Sequence, residues 1–92
     1  MQPDHAYGQI VSRIAEGTAL ASLERPNEAR AVAIDALELV QATDAVDLHV
    51  EVLLLLAELV DEPDAVQHRS AALALCEAKG DVVSSERVRG LL

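Results

Sequence analysis

Aromatic residues are almost missing from this 92-residue chain, which has no Trp, no Phe and a single tyrosine, Tyr7. Modules that stack nucleic-acid bases need several such rings, so that class is excluded. Basic residues are also scarce, 7 Lys+Arg against 16 Asp+Glu, for a net charge of −9. A phosphate backbone or an anionic membrane surface calls for the opposite sign. One cysteine, Cys76, leaves no disulfide framework within the chain. No uninterrupted apolar run approaches the ~18 residues of a membrane span. The start, Met1-Gln2-Pro3-Asp4-His5, lacks the basic and apolar regions of a signal peptide, so a cytoplasmic protein is expected.

What is present is small and aliphatic. Hydrophobic residues make up 51% of the chain, nearly all of them Ala, Leu and Val, enough for one thin globular core. Pro3, Pro26 and Pro63 each precede a periodic segment, as first-turn prolines do. Thr43-Asp44 offers a helix N-cap, and Lys79-Gly80-Asp81 reads as a C-cap followed at once by a new N-cap. These marks predict five helices, over 4–23, 26–41, 44–61, 63–79 and 81–91, and no strand. The short connections make consecutive helices antiparallel neighbours. The fold expected is all-α, one domain over 1–92.

Periodicity sets the faces. Tyr7, Ile10, Val11 and Ile14 form one stripe of the first helix, continued by Leu20 and Leu23. Ala29, Ala33, Ala36, Leu37 and Val40 line the second. The third, around Val52 to Val60, is apolar nearly all round and should be central. At 100° per residue, however, Asp47, Glu51, Glu58 and Asp61 fall on one stripe of it, with Leu54 among them.

Helices one and two are echoed by three and four. Gly17 with Leu20, then Pro26-Asn27-Glu28-Ala29 and Ala36, correspond to Ala57, Val60, Ala65 and Ala72. Small residues at such facing positions let two helices approach closely. On these residues the chain resembles the tetratricopeptide repeat family: one repeat over about 6–41, a second over about 44–79, and a capping helix over about 81–91. The stretch from Ala72 to Val83 is similar to repeats that end large actinobacterial signalling ATPases, cyclase-linked regulators and transcriptional regulators. Leu20, Val60 and Cys76 stand where the family carries aromatics, and Glu24 stands at its turn glycine.

No catalytic or metal-binding pattern emerges. His5, His49 and His68 lack ligand spacing, Cys76 has no C-x-x-C partner, and no serine sits in a G-x-S-x-G turn. Cys76 reads as a small buried residue and His49 as a partly buried structural one. No enzyme, metal or cofactor is expected. The resemblance implies instead a non-catalytic protein–protein interaction or oligomerisation module, the end of a larger bacterial signalling or transcriptional regulator. The first helix of each hairpin would line a concave groove. Val11, Ile14, Thr18 and Ala21 would form its apolar end, and Glu51, Leu54, Glu58 and Asp61 its acidic end. Such a groove suits a basic, amphipathic protein or peptide. The competing reading makes the acidic stripe only the solvated face of a buried helix. A different class of function, a small ligand bound between the hairpins, is the alternative.

Two repeats leave apolar ends, expected at Tyr7/Ile10/Val11 or at Val88/Leu91/Leu92, so the chain should self-associate or be cut from a longer one.

Overall fold

The computed structural model describes residues 3–92, with side chains from Ala6 onward. Met1, Gln2 and the side chain of His5 lie outside the described part. Five helices follow one another: α1 Pro3–Ser22, α2 Pro26–Gln41, α3 Val46–Leu59, α4 Asp64–Lys79 and α5 Val82–Arg89. No strand occurs among the described residues. α1 packs on α2 and α3 on α4 as hairpins; α2 and α1 both also touch α3, and α5 rests on α4. The Cα envelope, 36 × 31 × 17 Å, is thin in one direction, as two stacked layers of helices require.

The first hairpin is built on small residues. Ala29, Ala33, Ala36 and Val40 of α2 are all fully buried, one turn apart. They meet Ile10 of α1 and Leu48, Val52, Leu55, Leu56 and Leu59 of α3 in one cluster. Gly17 marks the closest approach. A Cβ there would lie 3.0 Å from Leu55 Cδ2 and 3.6 Å from the Ala29 carbonyl, so even a methyl group forces Leu55 to move. A second cluster joins Val50, Leu53 and Leu54 of α3 to Ala72 and Cys76 of α4 and Val88 of α5. α3 therefore feeds two cores from two sides, which is why a helix that is apolar nearly all round is stable here.

The turns show how each helix is stopped. After α1, the amide of Arg25 bonds the Leu20 carbonyl (3.0 Å) and that of Glu24 the Ala21 carbonyl (3.1 Å). This reciprocal pair needs a left-handed residue, and Glu24 takes that role at φ 60°. The same pair recurs after α4, from Asp81 to Cys76 (3.0 Å) and from Gly80 to Glu77 (3.1 Å). There a glycine, at φ 79°, supplies the left-handed conformation without strain. Asp81 then opens α5 by accepting from the Ser84 amide (3.0 Å) and hydroxyl (2.7 Å). Those two bonds hold its carboxyl below the usual carboxylate range, the amide contributing most.

Several boundaries differ from the expected ones, most clearly those of α3 and α5. α3 starts at Val46, not 44, because Thr43 is spent elsewhere: its hydroxyl donates to the Val40 carbonyl (2.8 Å) and accepts from the Ala45 amide (3.1 Å). The Thr43-Asp44 pair thus closes α2 instead of capping α3. α3 also ends two residues early. Val60 is extended (φ −123°, ψ 160°), and the Arg30 guanidinium of α2 donates to the Leu59 carbonyl at 2.9 Å. A cation on the last carbonyls of a helix is favourable for both hydrogen bonding and the helix dipole. Asp61 consequently lies in the turn and off the helix. α5 is shorter than its expected span, eight residues.

Candidate functional site

The eight residues expected to line a groove do not form one open face. Leu54 is the clearest correction: it is only 8% exposed, packed in the second cluster. It lies in the acidic stripe on the helical wheel, yet α4 and α5 cover that part of α3. Ile14 and Ala21 turn inward as well, packing against the first cluster. Val11 and Thr18 remain on the surface, the Thr18 hydroxyl donating back to the Ile14 carbonyl (2.8 Å). Glu51 is half-buried and bonded: Arg87 of α5 donates to both its oxygens, at 2.8 and 3.4 Å. Glu58 and Asp61 are exposed.

The acidic stripe is thus divided along its length. At the start of α3, Asp47 accepts from Lys79 Nζ at 2.6 Å, and one turn later Glu51 holds Arg87. These bonds raise the pKa of Lys79 and of Arg87 above their ordinary values, as an anionic partner must. At the far end Glu58 and Asp61 make no side-chain bond among the described residues. Sequence reasoning missed this division, because both cations lie more than 30 residues away along the chain.

The same accounting extends over the molecule. Arg25 pairs with Glu28, Arg69 with Glu62, and Arg89 with Glu77 and Glu86. Arg13 donates to the Gln9 carbonyl (3.3 Å) and Arg30 to that of Leu59. Together with Lys79 and Arg87, this engages all 7 Lys and Arg side chains of the chain. Glu16, Glu24, Asp35, Glu38, Asp44, Glu58, Asp61 and Asp64 are exposed and have no ion-pair partner among the described residues.

Where the start of α3 meets the end of α4 and the Asp81–Ser84 turn, a cleft of about 200 Å³ opens, with Asp47, Glu51, Lys79 and Asp81 on its walls and Cys76 at its base. The Cys76 thiol is buried, and burial, reinforced by Asp81, pushes its pKa up, so it is a poor nucleophile. His49, half-buried on α3, is held below its ordinary pKa by the same loss of solvent. Among the described residues no group of three or more His, Cys, Asp or Glu is placed to hold a metal ion, and no helix is long and apolar enough to cross a membrane.

The apolar ends also differ from expectation. Ile10 and Val88 are fully buried; Tyr7, Val11, Leu91 and Leu92 are the exposed members of those sets. The most exposed large apolar side chains are Val82 and Val83 on α5, at 71% and 82%. Comparison of the chain with protein families, with curated proteins and with solved structures finds no match to any of them.

Proposed function

We propose that this chain is a non-catalytic, tetratricopeptide-like interaction module that binds a basic, amphipathic protein or peptide, within a signalling or transcriptional regulator. One observation carries the reading: every internal cation is already engaged, while exposed carboxylates on α2, α3 and the α3–α4 turn are left without partners. Unpaired charge of one sign at about −9 steers an oppositely charged partner and repels like-charged ones. The tetratricopeptide-like part rests on the resemblance above and is compatible with the hairpin packing of α1 on α2 and α3 on α4. The ligand alternative has less behind it. The cleft beneath Lys79 is about 200 Å³ and lined by ion-paired groups, and an open surface hollow of about 300 Å³ between α1 and α2 offers only Arg13, Asp35, Glu38 and Leu39, at the bottom of the roughly 300–1,000 Å³ range of small-molecule sites.

The test is titration of the chain with a synthetic helical peptide of alternating Leu and Lys faces. Binding should weaken at least tenfold between 50 and 300 mM salt, roughly as counterion screening dictates, and again in Glu58→Lys/Asp61→Lys. Binding that ignores both salt and charge reversal overturns the reading.

A further inference from the structure

α5 is the one helix whose cations outnumber its acids, Arg87 and Arg89 against Glu86, and α3 is the most acidic, with Asp47, Glu51 and Glu58 and no cation. α5 rests on α4, and its Val88 and Arg87 side chains reach over to α3. Its inner side, Ser85 and Val88, is buried, Val88 among Val50, Leu53 and Leu54 of α3 and Ala72 and Cys76 of α4. One arginine then grips each wall: Arg87 holds Glu51 of α3 at 2.8 Å, and Arg89 holds Glu77 of α4 at 2.8 Å. A helix with one net positive charge, one buried valine and an arginine reaching each acidic wall is therefore already present, supplied by the chain itself.

That helix is weakly kept. Eight residues are too few for a stable isolated helix in water, so α5 is helical because it is seated. Both arginine pairs are about half exposed, where ion pairs contribute little and salt screens them. A single fully buried large side chain, Val88, anchors α5, and its outer face shows Val82 and Val83 to solvent. Gly80 joins it to α4 in a left-handed conformation that glycine adopts without strain.

We propose that the α3–α4 crevice is a docking surface for a short basic helix of a partner protein, and that α5 is its internal, displaceable occupant. The partner segment carries the α5 pattern: a β-branched residue that enters beside Leu53 and Leu54, with an arginine on either side to reach Glu51 and Glu77. This rests on the basic-partner reading above and gives it a second, sheltered seat, distinct from Glu58 and Asp61.

The probe is a fluorescent peptide of residues 81–92, added to the full chain and followed by anisotropy. Arg87→Ala/Arg89→Ala loosens the internal helix without touching the crevice, so the peptide should bind this variant about two- to tenfold more tightly than the unaltered chain. Adding Glu51→Lys should abolish that gain. Equal binding by variant and unaltered chain, or a gain that survives Glu51→Lys, overturns the proposal. Should the arginine variant lose its helical circular dichroism, amide hydrogen exchange of the unaltered chain decides. Amides of 84–90 should exchange at least tenfold faster than those of α3; equal protection overturns the displaceable occupant. The Leu/Lys peptide and its dependence on Glu58 and Asp61 are scored separately, so either reading can fail alone.

Discussion

The two halves of the molecule are held by different physics. The α1–α2 hairpin docks on α3 through alanines and a glycine, at a distance where one added methyl group meets Leu55 at 3.0 Å. Among the described residues its surface carries a single ion pair, Arg25–Glu28, at the start of α2. The α4–α5 side packs fewer buried residues against α3 and ties its helices with charge: Lys79 to Asp47, Arg87 to Glu51, Arg89 to Glu77. Close packing is nearly insensitive to salt and intolerant of added volume; exposed pairing is the reverse. A molecule built in this way has a rigid half and a half whose last helix can be exchanged.

Truncating the shared helix separates the halves most strongly. Leu56→Ala, in the first cluster, should cost about 3–4 kcal/mol, and Leu54→Ala, beneath the displaceable α5, about 2 kcal/mol, measured by chemical denaturation. Equal losses would erase the distinction. Gly17→Leu should cost about 1–3 kcal/mol by overpacking against Leu55 and the Ala29 carbonyl; an unchanged denaturation midpoint would mean α1 does not rest that closely on α3. Glu24→Gly should act oppositely, stabilising by about 0.5–1 kcal/mol, since glycine adopts φ 60° without the Cβ clash. On the other side, a double-mutant cycle on Arg87 and Glu51 should give a coupling of about 0.2–1 kcal/mol that fades by 1 M salt. A coupling that persists there would place the pair in a drier setting than its exposure indicates.

The smallest effect is one of pH. Burial holds His49 below 6.5 in the folded chain, so the unfolded chain takes up a proton first as pH falls. Stability supplied by neutral His49 is full above 6.5 and declines below it. The thermal midpoint should therefore fall less between pH 7 and 5 in His49→Gln than in the unaltered chain; identical slopes would count against a buried imidazole.

Much of this was legible in the chain. Three- and four-residue spacing picked out Ala29, Ala33, Ala36, Leu37 and Val40, of which Leu37 is half-buried and the other four are fully buried. The Lys79-Gly80-Asp81 signal sits where α4 ends and α5 begins, because glycine at a left-handed cap and aspartate at an N-cap are local choices. That Glu24 takes a positive φ was not read from the sequence, because glutamate carries no local signal for the left-handed conformation. Thr43 misled, since its hydroxyl had two local uses and the closing of α2 won. Leu54 misled for a different reason. Helical phase aligned it with Glu51 and Glu58, but phase does not reveal which neighbour lies over a given stripe.

The chain alone therefore determined five helices, the inward face of the second and a surplus of negative charge, because caps, periodicity and net charge depend on residues a few positions apart. Only the tertiary structure decided how that charge is shared. Asp47 and Glu51 are bonded by cations 32 and 36 residues away, and the end of α3 is set by Arg30, 29 residues before it. Those pairings follow from how helices stack and how far long side chains reach across the stack. The scarcity of aromatics and basic residues takes on its meaning there: small side chains allow the close first hairpin, and too few cations leave part of the acidic surface unpaired.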